Sequence, residues 1–124
     1  MADHNGARAV DFLGLASRGD VEQAFGLYVT DDFRHHNPWF ASDAQSLMRA
    51  MADNARQYPA KSWEPLRTVE EGSVVCVHSR IRLEPRGRAI AAVHLLRFEG
   101  ERIAELWDVT QPEPDDVVNE HGMF

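Results

Sequence analysis

Cysteine is nearly absent from these 124 residues: Cys76 stands alone in the apolar run Val74-Val75-Cys76-Val77. No internal disulfide can form and C-x-x-C metal sites are excluded, so the cytoplasm is the expected compartment. Basic charge is also scarce. Thirteen Lys plus Arg stand against twenty Asp plus Glu, a formal net charge of −7, and that field opposes approach to nucleic-acid phosphates or anionic lipid. Neither nucleic acid nor membrane is an expected partner. No stretch reaches the ~18 apolar residues of a membrane helix, and the opening Met1-Ala2-Asp3-His4-Asn5-Gly6 lacks a basic region before an apolar core. The chain is expected to be soluble and unprocessed. Also missing are G-x-S-x-G, P-loop, G-x-G-x-x-G and H-E-x-x-H patterns, which removes the signatures of nucleophilic-serine, nucleotide, dinucleotide and zincin chemistry. No metal and no cofactor is expected. With no repeat, low-complexity tract or linker, residues 1–124 read as one domain.

What is present is an ordinary globular balance, 44% apolar against 27% charged, enough to close one core. Val10, Leu13 and Ala16 recur at helical spacing before the stop Ser17-Arg18-Gly19. Asp20 with Gln23 forms a capping-box pattern ahead of Val21, Ala24, Phe25 and Tyr28, a second amphipathic helix. Phe33 to Asn37 is too short for a helix before Pro38 and reads as a strand running into a loop. Ser42 with Gln45 repeats the capping pattern, and Leu47, Met48, Met51 and Ala55 carry a third helix to Tyr58-Pro59. From Glu64 the pattern becomes β-branched and apolar runs separated by Glu71-Gly72, Pro85-Arg86-Gly87 and Glu99-Gly100-Glu101, the signals of hairpin turns. Helices first and a four-strand meander afterwards predict an α+β fold with one sheet face against the helices. The segment from Gln111 to Phe124 reads as irregular.

Six histidines invite an acid/base or metal reading. His4 and His121 lie in terminal segments and are set aside. His35 and His36 are adjacent on a strand, so at most one can look into a pocket. His78 and His94 are lone polar residues in apolar strands, as is Asp108 in Leu106-Trp107-Asp108-Val109. A buried polar group left unpaired costs about 1–3 kcal/mol, so several in one sheet should share partners or water. The histidines lack metal-ligand spacing, which leaves proton transfer in an apolar pocket.

Four segments together resemble the SnoaL-like, ketosteroid-isomerase-like superfamily, also called nuclear transport factor 2-like: Ser17-Arg18-Gly19-Asp20, Tyr28 to Phe33, His36-Asn37-Pro38, and Arg97 to Val109. The resemblance covers nearly the whole chain. It implies a cone-shaped curved antiparallel sheet packed on three N-terminal helices, a cystatin-like roll, and a homodimer formed through the outer sheet face. Delta-5-3-ketosteroid isomerases place a tyrosine, an aspartate base and a protonated aspartate where this chain has Phe12, Asn37 and His94, so their machinery is absent. Polyketide cyclases of the SnoaL type fit better. Their likeness implies Asp108 as proton shuttle, His94 as its partner, and His36 or Asn37 polarising a substrate carbonyl. Asn37, Phe12, Trp39, His78 and Trp107 would contact the ligand. Aromatic Phe40 and Trp63 flank the third helix and could line a mouth, although such residues are more often core.

Two functions follow from different classes. One is a cofactor-independent cyclase or isomerase performing acid/base chemistry on a small carbonyl compound. The other is a non-catalytic protein of the same fold, binding an apolar ligand or serving as a dimeric scaffold. A geometric condition separates them. A plain two-residue hairpin at Gly100-Glu101 pairs Glu99 with Arg102, sets His94 opposite Trp107, and turns Asp108 to the other face. For His94 and Asp108 to share a pocket, the hairpin needs a three-residue loop or a β-bulge. Glu99-Gly100-Glu101 is compatible with such a loop, because glycine can take a positive φ, and an irregularity with both side chains in one pocket is expected. Otherwise the pocket belongs to His94, Glu105 and Trp107.

Overall fold

The structure, a computed structural model, describes residues 4–124. Helix α1 (Asn5–Ser17) buries Ala9, Phe12, Leu13 and Ala16. It ends as its sequence requires: Gly19 takes φ +92°, its N–H donates to Ala16, and the Asp20 N–H donates to Leu15, the two bonds of a Schellman turn. Helix α2 (Val21–Tyr28) starts without the expected Asp20–Gln23 box, since Asp20 makes no side-chain cap. Helix α3 (Ala44–Gln57) is capped one residue later than Ser42–Gln45 implies, by Asp43, whose carboxylate accepts from the Ser46 N–H at 2.9 Å. A carboxylate is the stronger acceptor, and its charge suits a helix N-terminus.

Five strands form one sheet: β1 (Val29–His35), β2 (Ser62–Glu71), β3 (Val74–Arg82), β4 (Ala89–Glu99) and β5 (Arg102–Pro112), in the order β1-β5-β4-β3-β2. The β2–β5 meander is antiparallel, as its hairpin signals predict. Strand β1 corrects the wholly antiparallel expectation, because it lies parallel to β5. The α3 connection carries the chain to the far edge, and three reversals bring β5 back beside β1 in the same direction. Strand β5 also runs further than expected, with Gln111 opposite Ala91 and Pro112 opposite Ile90.

One sheet face packs on the helices. Val75, Val77, Leu96, Phe98, Ile103 and Leu106 all close against Phe12, Phe25 and Leu47 in a single core. Val75 and Val77 therefore face the helices, on the side opposite Val93. They lie opposite Leu96 and His94, and paired residues share a face, whereas Val93 alternates with them.

The decisive irregularity is in β5. Glu99 pairs with Arg102 and Phe98 with Ile103, so the turn at Gly100-Glu101 is a plain two-residue loop, with Gly100 at φ +64°. Arg97 then pairs with Glu105, leaving Ala104 as an extra residue. This bulge reverses the facing of every later residue in the strand. His94 consequently stands opposite Asp108 rather than Trp107. Among the described residues no helix is long and apolar enough to cross a membrane.

Candidate functional site

Between α1, α3 and the concave sheet face lies a cavity of about 240 Å³. Its apolar wall comes from Leu13 and Ala16 on α1, Leu47 and Met51 on α3, Trp63 on β2 and Ile81 on β3. Asn37, Asn54, Lys61, His94 and Asp108 supply polar groups. A mostly apolar concavity with a few convergent polar side chains is the usual form of a small-ligand site. This one lies just below the ~300–1,000 Å³ common for larger organic ligands, which limits it to a small compound.

His94 faces the cavity by the regular alternation of β4, on the side of Leu96, and the Ala104 bulge turns Asp108 to join it on the concave face. One Asp108 carboxylate oxygen accepts from Asn37 Nδ2 at 2.9 Å. The Asn37 amide is fixed in turn, its Oδ1 accepting from the Trp39 N–H at 2.9 Å. Histidine supports the same loop from below. His35 is 3% exposed, its Nε2 lies 2.6 Å from the Ala41 carbonyl, and its Nδ1 accepts from the Asn37 N–H at 3.1 Å. One acceptor and one donor are the pattern of a neutral imidazole protonated on Nε2. His35 is thus the inward member of the histidine pair, and it braces the loop that carries Asn37.

His94 is half-buried, and its Nδ1 is shut from solvent without a hydrogen-bond partner. Burial lowers its pKa below the ordinary imidazole value, while the neighbouring charge of Asp108 pulls the other way. The ring is therefore held neutral, with one nitrogen able to donate and the other to accept.

Several expected site residues lie elsewhere. His36 is on the outer face, stacked on Trp107 with ring centroids 4.9 Å apart and planes 4° apart, and its Nε2 lies 2.6 Å from Glu105. Trp107 faces outward because the bulge reverses its side. His78 also points outward, with Nδ1 2.9 Å from Arg67 Nη1 and its ring against Phe124. Trp39 is 83% exposed, and Phe40 from the same loop lines the cavity instead. Phe12 is fully buried against Phe25 and belongs to the core. Glu105, the alternative pocket acid, lies outside too. Hydrogen bonds from His36, Arg34 and Arg97 hold its carboxyl at about 2.

Sequence reasoning missed Asn54 and Lys61. The only available signal was compositional, since Lys61 is the chain's single lysine. Among the described residues no group of three His, Cys, Asp or Glu side chains is arranged to hold a metal ion.

The sequence pattern of the SnoaL-like domain matches residues 9–106. No curated protein matches the chain. Among solved structures, an NTF2-like protein of unknown function from Cytophaga hutchinsonii superposes with a TM-score of 0.70 at 18% identity, covering 90% of this chain and 93% of that one. AclR, a candidate hydroxylase from Streptomyces galilaeus, gives 0.72 at 17% identity over 86% of this chain and 78% of that one. A candidate isomerase of the SnoaL-like family from Agrobacterium tumefaciens gives 0.72 at 14% identity over 90% and 99%. At these identities the likeness is one of fold.

Proposed function

The chain belongs to the SnoaL-like domain family, and on that footing we propose that it is an acid/base enzyme acting on a small carbonyl compound, with Asp108 as the proton-shuttling residue and His94 as its partner. The supporting observation is the juxtaposition produced by the Ala104 bulge, which sets the two side chains opposite one another and facing one cavity. Asp108 takes a proton from the carbon next to the carbonyl. A neutral His94 donates to the oxygen as negative charge develops there, a role for which a buried donor needs no reorganisation. Asn37 holds the carboxylate in position rather than polarising the carbonyl, since its Nδ2 is engaged with Asp108. Return of the proton to another carbon is isomerisation, and attack of the enolate on a second carbonyl is aldol-type cyclisation.

The test is hydrogen–deuterium exchange at the α-carbon of a small aryl ketone, followed by NMR. Asp108→Asn should slow exchange by about 10²–10⁴-fold, the usual contribution of a general base. Tight ketone binding with no catalysed exchange in the unaltered protein would sink the enzyme reading and leave the non-catalytic ligand-binding one.

The same reading includes a homodimer through the outer sheet face. Val93, Leu95 and Trp107 lie there only partly covered, and Val109 is 63% exposed. Contiguous apolar surface of this kind is rarely left to water. The unpaired Cys76 supports placement in the cytoplasm.

A further inference from the structure

Twelve of the thirteen Lys and Arg residues are arginines, and the one lysine lines the cavity. Lys61 sits where the chain enters β2, half-buried, with its Nζ donating to Asn54 Oδ1 at 2.6 Å. That acceptor is neutral. Among the described residues no carboxylate forms an ion pair with Lys61, in a chain with twenty acidic residues. Burial alone lowers its pKa from the ordinary lysine value, and no acid is close enough to offset it. A half-buried ammonium without a counter-charge has lost part of its hydration with no ion pair to offset the loss. Trp63, two residues on and lining the same cavity, adds an Nε1–H that has no acceptor.

Position in the sheet says what could satisfy both ends. Lys61 leads into the β2 edge, whereas Asp108 is on β5, with β3 and β4 between them. Three strand spacings of about 4.8 Å put the two backbones roughly 14 Å apart across the sheet. They are further offset along the strands, since Asp108 is level with Thr68 through His94 and Val77 whereas Lys61 precedes Ser62. The cation and the proton-shuttling acid therefore serve different parts of one ligand. From this geometry we infer that the compound bound is a carboxylate, its anionic group docked on Lys61 and its carbonyl presented to His94 and Asp108. This rests on the reading of the cavity as a substrate site.

A single lysine makes the test direct, because protein labelled with ¹³C-lysine gives one side-chain ε signal. Para-acetylbenzoate and the neutral para-acetylbenzamide serve as probes. The carboxylate should bind at least about tenfold more tightly than the amide, as expected for one charge-assisted contact, and should move the Lys61 titration upward while the amide does not. Lys61→Met should abolish the preference and Lys61→Arg should keep most of it. Equal binding of the two probes, or a lysine signal indifferent to the carboxylate, overturns the inference even if Lys61→Met fails to fold. Deuterium exchange into the acetyl group of the same probes separates the two claims. Exchange without carboxylate preference defeats the anion inference alone, and preference without exchange defeats the acid/base reading alone. If neither probe binds, both fail.

Discussion

At the scale of single residues, the site depends on how few hydrogen bonds hold its acid. Asn37 donates to Asp108 through Nδ2 while its Oδ1 is engaged by the loop backbone. Asn37→Asp keeps the size and the turn-forming oxygen but sets a second carboxylate beside the first. Two carboxylates at hydrogen-bond distance cannot both ionise easily, so the acid limb of the pH–exchange profile should move up and the pair should titrate as a unit. Titration of two other groups affects stability from different starting pH values. His94 is held neutral by burial, whereas the unfolded chain takes up that proton below about pH 6.5. Stability should fall as pH drops below that value, and His94→Gln should flatten the decline. Glu105 is held at about 2 against 4.5 for the free group, chiefly by His36 and then by Arg34. Its contribution is present above about pH 4.5 and is lost as pH falls toward 2. Urea midpoints across pH 2–8 for the unaltered protein, His94→Gln and Glu105→Gln distinguish the two.

At the scale of elements, one inserted residue decides what β5 presents. Without Ala104, Leu106 and Asp108 would turn to the outer face, and Glu105 and Trp107 would turn toward the helices. Deleting Ala104 should therefore bury a carboxylate beneath the helices and expose Leu106, with loss of cooperative unfolding. Ala104→Gly keeps the residue count and should keep both the fold and the site. Thermal melts of the two variants make the comparison. Helix α3 is the opposite wall of the cavity, anchored by Leu47 at 3% exposure. Leu47→Ala should cost about 2–5 kcal/mol, read from denaturant unfolding.

At the scale of the whole molecule, the two sheet faces do different work. The concave face closes the core at one end and leaves the cavity at the other. The outer face carries Leu95, Val93 and Trp107 beside the Glu105 ion cluster. If that face joins two copies, light scattering at micromolar concentration should give about twice the 14.0 kDa chain mass. Leu95→Arg, which sets a charge in the centre of the apolar strip, should return a folded monomer. A wild-type monomer over that range would remove the dimer from the proposal.

Periodicity and turn residues determined the elements: α1 by Leu13 and Ala16 with the Gly19 stop, α3 by Leu47 and Met51, and the meander by its glycine-bearing turns. These are local effects of side-chain spacing and turn chemistry, and both are written in consecutive residues. That His94 and Asp108 share a face was expected from the sequence only with an irregularity whose kind, loop or bulge, stayed open. The turn sequence is compatible with a three-residue loop as well as the two-residue loop that forms, and nothing within β5 marks Ala104 as the extra residue. The bulge arises where β5 is held by β4 on one side and by β1 on the other. The same limit explains His36 and Trp107. Alternation says that neighbours face apart, but the choice of face belongs to the strand next door. Lys61 meets the cavity because α3 and the start of β2 are folded together at one edge of the sheet, and that juxtaposition exists only once the chain has closed around its core.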